Sequence, residues 1–400
     1  MQNTAKLRIR KERNTIHYDY VVRGPWAEAF NIDGIQGWFA QASEGEYKFF
    51  IQYDESIEDV PDSIAAIPFV CNILPILWLY DAELEIDELD LDFFNSLSQV
   101  REAYQDMYPN ETFAGRVVPR KVVLNTPNQS SKNSLVFFSG GVDAHYTLLK
   151  TLEQKPILAT IWGSDLYFKD KVEWEITREK LQSTAAHFNL PYITIKSSFR
   201  FFLNYELLNE KFASRNNGNW WHGFQHGIGI ISHAAPLAWT RGLSMTYISS
   251  SYSPADGVVK CASYPTIDEG LAFAGCSVSH FGFYKTRQQK VASICQQGEA
   301  KNLPLELRVC WESGKNENCV QCEKCLRTFF AVMAEGYSPE KFGFRCNEAV
   351  YLKIIELLDN KKIVPNKFWT EICDKLSRQD SHLQLPHVKK LLSVFPQKAI

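Results

Sequence analysis

The residues best suited to chemistry form a short glycine-rich loop near the middle of the chain. A buried apolar strand at 135–138 is followed by a loop and then a helical pattern, and the loop residues are Ser139, Gly140, Gly141, Val142 and Asp143. Loops of this kind bring several backbone N–H groups and the positive end of a helix together, which predicts a phosphate-binding site. The glycines allow close approach of a ligand, Ser139 adds a hydroxyl donor, and Asp143 is expected to hold Mg²⁺. No Gly-Lys-Ser/Thr follows, which excludes a Walker A loop.

The motif Ser-Gly-Gly-Val-Asp after an apolar strand resembles the PP-loop signature of the N-type ATP pyrophosphatases. Enzymes of this family cleave ATP between its α- and β-phosphates, adenylate a substrate carbonyl and release pyrophosphate. The resemblance covers residues 133–330 and implies that the loop binds ATP together with Mg²⁺. Family loops usually have Ser or Thr after the aspartate, whereas this chain has Ala144, so one hydroxyl of the phosphate cradle is missing.

A second group of residues with chemical potential is a cluster of cysteines, Cys310, Cys319, Cys322 and Cys325. In a reducing compartment, clustered cysteines indicate metal ligands before they indicate disulfides. Four thiolates from one short segment suit the tetrahedral coordination of Zn²⁺ and leave no open position, which predicts a structural zinc site. An iron–sulfur cluster is the alternative, because some PP-loop thiolation enzymes carry one.

The loop together with this cysteine spacing resembles the 7-cyano-7-deazaguanine synthase family, whose members convert 7-carboxy-7-deazaguanine to the nitrile with ATP and ammonia. The resemblance extends to Arg215, near an Arg-Asn segment that precedes an active-site helix in that family. It weakens at residues 264–268, where the Cys and Arg of the family's Asp-Cys-Arg substrate motif are absent. Asp268 is therefore expected to accept hydrogen bonds from the substrate base. Chains of this length resemble synthase-like proteins of bacterial antiphage operons, for which conjugation of a deazaguanine to a partner protein is one proposed role.

Four further residues are predicted to contact the nucleotide or its phosphates. Parallel sheets bind ligands at the carboxyl ends of their strands, so Trp162 and Gly163, at the end of the strand predicted at 157–162, are expected at the nucleotide. Arg287 and Lys290 follow the last strand and are predicted to neutralise triphosphate charge as ATP is cleaved. Solvated helix charges are the alternative interpretation of these two cations.

A histidine-rich segment at 221–237 predicts one helix. Helical spacing places His222, His226, Gly229 and His233 on the same face, which is expected to line the nucleotide pocket, with His222 among the nucleotide contacts. A metal site from the i, i+4 histidine pair and hydrogen-bonded core histidines are the alternatives.

The rest of the sequence predicts the elements that position these residues. The first 60 residues alternate in the manner of strands, residues 64–80 predict a buried helix and turn, and residues 93–108 predict a helix. Residues 125–133 are rich in Asn, Ser, Thr and Pro and predict a linker. Beyond it, strands at 135–138, 157–162, 192–195 and 245–249 alternate with helices, and the chain is helical after residue 325.

This alternation predicts an α/β fold with a doubly wound, mostly parallel sheet. Three regions are expected: an N-terminal α+β domain at 1–130, a PP-loop ATP pyrophosphatase domain with the zinc site at 131–330, and a helical C-terminal region at 331–400.

Composition restricts the classes of partner. The 400 residues include 43 Lys and Arg against 46 Asp and Glu, a net charge of −3, which argues against nucleic acid as the main partner. A basic stretch at 6–13 is interpreted as a solvated edge strand, with a docking patch for a polyanion or an acidic protein partner as the alternative. The N-terminal residues lack the apolar core of a signal peptide, which predicts a cytoplasmic protein. The most apolar stretch is too short to cross a membrane.

Together these features predict a zinc-containing, ATP-dependent ligase that activates a carboxylate as its acyl-adenylate and then forms a C–N bond. The resemblance implies 7-carboxy-7-deazaguanine or a related deazapurine as the substrate. One alternative is an enzyme that thiolates RNA or a small molecule, which would need a basic face and a reactive cysteine near the loop. Another is a nucleotide-sensing subunit without turnover, which Ala144 favours.

Overall fold

One sheet organises the computed structural model, which describes residues 2–31, 48–127, 132–216, 218–300, 303, 305–310, 317–362 and 366–395. Its strands are β1 (Thr4–Glu12), β2 (Thr15–Arg23), β3 (Phe50–Tyr53), β4 (Glu83–Asp90), β5 (Arg116–Val123), β6 (Asn133–Phe137), β7 (Ile157–Trp162), β8 (Tyr192–Ser197), β9 (Leu243–Ser249), β10 (Ala272–Phe273) and β11 (Cys276–Phe281). All eleven belong to the same sheet, in the order β10-β11-β9-β6-β7-β8-β3-β2-β1-β4-β5.

The helices cover this sheet and form the C-terminal region. They are α1 (Asp62–Ala65), α2 (Ile67–Leu79), α3 (Leu91–Met107), α4 (Val142–Thr151), α5 (Lys171–His187), α6 (Tyr205–Leu208), α7 (His226–Ile231), α8 (Ala234–Arg241), α9 (Pro265–Asp268), α10 (Arg287–Ala300), α11 (Glu323–Ala334), α12 (Glu348–Asp359), α13 (Lys367–Leu376), α14 (Asp380–Leu383) and α15 (Pro386–Val394). Among the described helices, none combines the length and the apolar character needed to cross a bilayer.

The centre of the sheet is parallel, as the alternation of strands and helices predicts. Strands β11, β9, β6, β7 and β8 are neighbours, and each pairs in parallel with the next. Parallel neighbours end at the same edge, so the loops after β6, β7, β9 and β11 meet there. The α/β fold class and the mostly parallel sheet are confirmed.

The N-terminal strands extend this sheet. Strand β3 joins β8 to β2 through antiparallel pairs, and β4 and β5 then pair in parallel beyond β1. Residues on both sides of position 130 therefore share one sheet and one apolar core, which includes Ile16, Leu84, Leu135 and Ile195. The predicted linker falls partly on residues 128–131, outside the described part of the chain, and the proposed domain division stays a prediction.

The basic stretch is an edge strand only in part. Strand β1 pairs with β2 along its whole length, whereas β4 pairs with residues 4–6 of β1 and not with residues 7–12. Lys6 forms an ion pair with Glu85 of β4 at 2.7 Å, and Lys11 pairs with Asp62 of α1 at 2.9 Å. Acidic residues of two elements therefore pair with basic residues of β1.

Two apolar segments lie where their composition predicts. Helix α2 is buried along nearly its whole length, although it contains Pro75. In the C-terminal region, α11, α12, α13 and α15 enclose a second apolar core built on Phe329, Phe330 and Trp369. Val142 and Tyr146 of α4 and Val291 of α10 also belong to this second core, so it fixes the helices that begin at the carboxyl edge of the sheet.

The prediction of one helix over 221–237 is wrong. A single π-helical turn, Trp221–Gln225, precedes α7, and a turn at Ser232 and His233 separates α7 from α8. Pro236 has no backbone N–H and lies in the first turn of α8, where that N–H is not needed for the helix. The proline therefore favours a new start over a continuous helix.

Gly163, directly after β7, is expected to be essential for the stability of the fold. Its φ is +106°, and an added Cβ would lie 2.0 Å from the carbonyl oxygen of Ser197 at the end of β8. We expect Gly163→Ala to lower the free energy of unfolding by roughly 2 kcal/mol or more in urea denaturation, because it adds both strain and overlap. Gly218→Ala is the control, since Gly218 has open space around it and should change stability by less than about 0.5 kcal/mol. Equal effects of the two substitutions would contradict the role assigned to Gly163.

Candidate anion site and metal centre

The glycine-rich loop lies at the carboxyl edge of the sheet, between β6 and α4. Gly140 has φ +77°, and its carbonyl oxygen accepts a hydrogen bond of 2.7 Å from the backbone N–H of Arg308. Gly141 is the N-cap residue of α4, so the free N–H groups of the first turn point out of the loop. Ser139 is exposed, whereas the Val142 side chain is buried in the second core. The loop therefore offers a hydroxyl and backbone donors to an anion, and Val142 offers only its backbone.

A buried histidine forms a hydrogen bond to the backbone of the loop. Nδ1 of His145 lies 3.1 Å from the carbonyl oxygen of Gly141 and donates its hydrogen there. Burial lowers the pKa of His145 to about 4, so the imidazole is neutral at physiological pH. Ala144 is also buried, in an apolar cluster with Phe138 and Leu181, so its methyl group packs against the sheet and α5.

The structure brings three of the predicted site residues together. An oxygen of Asp143 lies 2.7 Å from the guanidinium of Arg287, and the other lies 3.2 Å from Nζ of Lys290. Lys290 also donates to the carbonyl oxygen of Ser250, after β9, at 2.5 Å. Burial alone would raise the pKa of Asp143, but the charges of Arg287 and Lys290 outweigh it and lower the pKa. The carboxylate is therefore ionised and already paired with two cations.

Two more cations, which the sequence analysis missed, belong to the same group. Lys324 and Arg327 lie in the first two turns of α11, and the Arg327 guanidinium is 3.3 Å from Glu323. The charges of Arg287 and Asp143 act on both residues. The sequence does contain a signal for these two cations, because both lie within two residues of Cys325. A metal ligand on a helix fixes the positions of the side chains next to it.

The four residues Arg287, Lys290, Lys324 and Arg327 form a cation cluster. Burial lowers the pKa of Lys290 and Lys324; Asp143 offsets part of the shift of Lys290 and Asp165 part of that of Lys324, and repulsion from Arg287 adds to the lowering in both. Burial and the neighbouring Arg287 lower the pKa of Arg327 to about 10. A bound anion at the adjacent loop would relieve this repulsion.

Trp162 and Gly163 lie at the end of β7, beside the loop. The Trp162 ring stacks on Trp174 with centroids 5.2 Å apart, and its indole N–H donates to the carbonyl oxygen of Tyr167 at 3.2 Å. Nζ of Lys196 lies 4.9 Å from the centroid of the Trp162 ring. Trp162 is thus part of an aromatic cluster at the edge of the site, and Gly163 allows the chain to turn beside β8.

Arg215 and His222 stand apart from Asp143. Arg215 forms a two-point ion pair with the buried carboxylate of Glu111, with Nε 2.7 Å from Oε1. Nε2 of His222 lies 3.1 Å from the hydroxyl of Tyr252. Burial raises the pKa of Tyr252, and the charges of Arg287 and Arg327 offset part of this shift. Glu111, which the sequence analysis missed, explains the position of Arg215.

The remaining histidines have different environments. His233 is fully buried and bonded at both nitrogens, to the carbonyl oxygen of Gly229 at 2.8 Å and to the Ser197 hydroxyl at 2.8 Å. It is therefore a hydrogen-bonded core histidine. His226 packs against Trp221 with ring centroids 4.9 Å apart. Burial lowers the pKa of His226 to about 4, and the nearby Asp165 charge offsets part of this shift.

Asp268, expected to accept hydrogen bonds from a substrate base, is fully buried between α7 and β11. Oδ2 lies 2.7 Å from Nδ1 of His280 and accepts from the Ser263 hydroxyl at 2.9 Å. Oδ1 has no hydrogen-bond partner among the described residues. Burial raises the pKa of Asp268, and His280 offsets part of that shift.

The four clustered cysteines form a compact metal-binding group. The Sγ atoms of Cys310, Cys319, Cys322 and Cys325 all lie within 4.8 Å of one another. Tetrahedral Zn²⁺ with Zn–S bonds of about 2.3 Å requires sulfur atoms about 3.8 Å apart. Sγ of Cys319 lies 3.8 Å from Sγ of Cys325 and also accepts from the backbone N–H of Cys322 at 3.2 Å. The arrangement fits a structural zinc ion with a complete protein shell.

The metal centre is connected directly to the anion site. Cys322 is the N-cap residue of α11, and Cys325 lies between the cations Lys324 and Arg327. On the other side, the chain leading to Cys310 contains Arg308, whose N–H bonds the loop at Gly140. A metal bound by the cysteines would therefore hold both the loop and α11 in place.

Comparison with protein-family models, with curated proteins and with solved structures finds no match to this chain.

We expect the purified protein to contain one zinc ion per chain. Cys322→Ser should release the metal and lower the thermal unfolding temperature, because the binding free energy of a structural metal contributes to folding. Metal content by elemental analysis and unfolding by calorimetry measure both effects. Cys346→Ser is the matched control, since Cys346 is a half-buried cysteine outside the group and should leave the metal in place. Iron and sulfide in place of zinc would indicate an iron–sulfur cluster, and the absence of any metal would refute both assignments.

Proposed function

We propose that this protein is an ATP-dependent ligase that adenylates a carboxylate, releases pyrophosphate and then forms a C–N bond. One observation carries the proposal: Arg287 and Lys290 contact Asp143 beside a loop that presents backbone N–H groups, and two further cations, Lys324 and Arg327, interact with the same charges. Such a site suits the phosphates of ATP, which bring several negative charges to a place where buried cations repel one another.

The residues of the loop and the cation cluster would act together on ATP. Backbone N–H groups at Gly140 and Gly141 and the Ser139 hydroxyl would bind the β- and γ-phosphates, which leave as pyrophosphate. Arg287 and Lys290 would stabilise the negative charge that develops on the leaving group. Asp143 orients both cations, and by the PP-loop resemblance it would also bind the Mg²⁺ that accompanies ATP.

The reaction is an adenylyl transfer followed by an acyl transfer. A carboxylate oxygen attacks the α-phosphorus, the bond to the β-phosphate oxygen breaks, and pyrophosphate leaves. A nitrogen nucleophile then attacks the acyl carbon of the adenylate, loses a proton, and AMP leaves. The protein contributes mainly by holding the reactants together and neutralising charge.

The resemblance to the deazaguanine synthase family supports 7-carboxy-7-deazaguanine or a related deazapurine as the acid. Trp221 and His226, at the start of the broken helical segment, provide partly exposed rings near this edge of the sheet. A flat heteroaromatic ring suits such surfaces. In cells, the same chemistry would serve conjugation of the deazapurine to a partner protein in antiviral defence, as proposed for synthase-like proteins of antiphage operons.

The thiolation alternative is less well supported. A thiolation enzyme needs a reactive cysteine, yet burial raises the pKa of every described cysteine outside the metal group, which are Cys71, Cys261, Cys276, Cys295, Cys346 and Cys373. A thiol of raised pKa is a poor nucleophile at neutral pH. The basic strand that such an enzyme would offer to RNA is largely paired with acids.

We expect ATP to be converted to AMP and pyrophosphate when 7-carboxy-7-deazaguanine and ammonia are present. Asp143→Asn should lower the rate by on the order of 10²-fold, because it removes the charge that holds Arg287, Lys290 and Mg²⁺ in place. Chromatography of the nucleotides measures the products. Asp87→Asn, at an exposed acid of β4, should leave the rate unchanged. Production of ADP and phosphate would refute the proposal, and ATP binding without turnover of any carboxylate would favour a sensing subunit.

The affinity for ATP should fall as the pH rises. The fall should begin at a pH below the ordinary pKa of lysine. The cations must be protonated to attract the phosphates, and their lowered pKa values mean that they lose protons early. Anion binding raises these pKa values again, so complex formation should take up protons. Calorimetry from about pH 8 upward, where the phosphates are already ionised, in buffers of different ionisation enthalpy tests this. Lys290→Gln should reduce the proton uptake, whereas Lys121→Gln on β5 should not. Proton release on binding would contradict the assigned cation cluster.

A further inference from the structure

The C-terminal helix α13 meets the anion site at its first turn. Nζ of Lys367 lies 2.8 Å from the carboxylate of Asp256, in the loop after β9. Glu371, one turn later, accepts a hydrogen bond of 2.9 Å from the hydroxyl of Thr286, the residue before α10. These contacts tie α13 to two of the segments that carry or border the cation cluster.

Between these two contacts, Phe368 lies against both arginines of the cation cluster. Its ring centroid is 4.4 Å from Cζ of Arg327 and 5.9 Å from Cζ of Arg287. The Nε atoms of both arginines are buried and have no hydrogen-bond partner among the described residues. The same three side chains line a small cavity between α10, α11 and α13. The ring of Phe368 therefore faces both guanidinium groups from α13.

The electrostatics of the two arginines make this contact important. Arg287 and Arg327 repel one another, and this repulsion helps to lower the pKa of Arg327. Asp143 pairs with one terminal nitrogen of Arg287, and Glu323 pairs with one terminal nitrogen of Arg327. The negative face of an aromatic ring attracts both cations without neutralising them, so they keep their full charge for an anion.

We infer that Phe368 is a positioning residue that holds the guanidinium groups of Arg287 and Arg327 in the orientation that binds the phosphates of ATP. The inference rests on the proposed function, because it takes the phosphates as the anion. It also assigns a function to the C-terminal region: α13 forms one wall of the anion site from outside the parallel sheet.

The test compares ATP binding by three variants in calorimetry. Phe368→Leu keeps an apolar side chain but removes the ring, and we expect it to weaken ATP binding about tenfold, the effect of losing one desolvated cation–π contact. Phe368→Tyr keeps the ring and should restore affinity to within about twofold of the original protein. Phe395→Leu is the control: Phe395 stacks on Trp369 in the same region and should leave affinity unchanged. Zinc content and unfolding temperature monitor the fold of each variant.

A second measurement does not depend on ATP. In nuclear magnetic resonance spectra, the Nε–H signals of Arg287 and Arg327, identified by Arg→Lys replacement at each position, should be shifted by the ring and move in Phe368→Leu but not in Phe368→Tyr. Unchanged ATP affinity in Phe368→Leu, or loss of affinity that Phe368→Tyr does not restore, would overturn the inference. If the original protein itself does not bind ATP, the proposed function fails, and unchanged arginine signals in Phe368→Leu would then separately refute the positioning role.

Discussion

The repulsion among four partly buried cations is the constraint on which the site depends. Asp143 pairs with Arg287 and Lys290, and Glu323 pairs with Arg327. Lys324 lies within the field of the same charges, and charges of one sign interact strongly where water is largely excluded. Such a group persists only if the surrounding structure holds each side chain in place. The helices α10 and α11 do so because the second apolar core fixes them, and its members extend from α4 to the last helix.

The metal group and the C-terminal region complete this support from two directions. The cysteines determine where α11 begins, and Lys324 and Arg327 lie within its first two turns. Arg308 connects the same segment to the glycine-rich loop through its backbone. From the other side, α13 contacts the loop after β9, the start of α10 and both arginines. The anion site is thus a meeting point of the parallel sheet, the metal group and the C-terminal helices.

Much of the fold could be predicted because its signals are local. Four of the five strands of the parallel centre, β6 to β9, the helices α3, α4 and α5, and the C-terminal helices follow from apolar periodicity and from turn residues. The interruption of the helix after Trp221 could not be predicted in the same way, because its small and apolar residues suit both a continuous and an interrupted helix. The structure shows that Pro236 lies in the first turn of a new helix. The position of β1 was also beyond local signals, since its neighbours β2 and β4 are separated by about 60 residues of chain that include a buried helix.

The sequence by itself determined the loop, the four cysteines and the alternation of strands and helices, because each depends on residue types at fixed short spacing. It also identified Asp143, which belongs to the loop, and Arg287 and Lys290, which follow the last strand of the predicted parallel sheet. Only the tertiary structure decided that Lys324 and Arg327 join them, that Glu111 binds Arg215, and that Phe368 lies against two arginines. These contacts join residues far apart in sequence, and ion pairs and cation–π contacts have no sequence period. Their partners become apparent only when the packing of the sheet and helices brings distant segments to one edge.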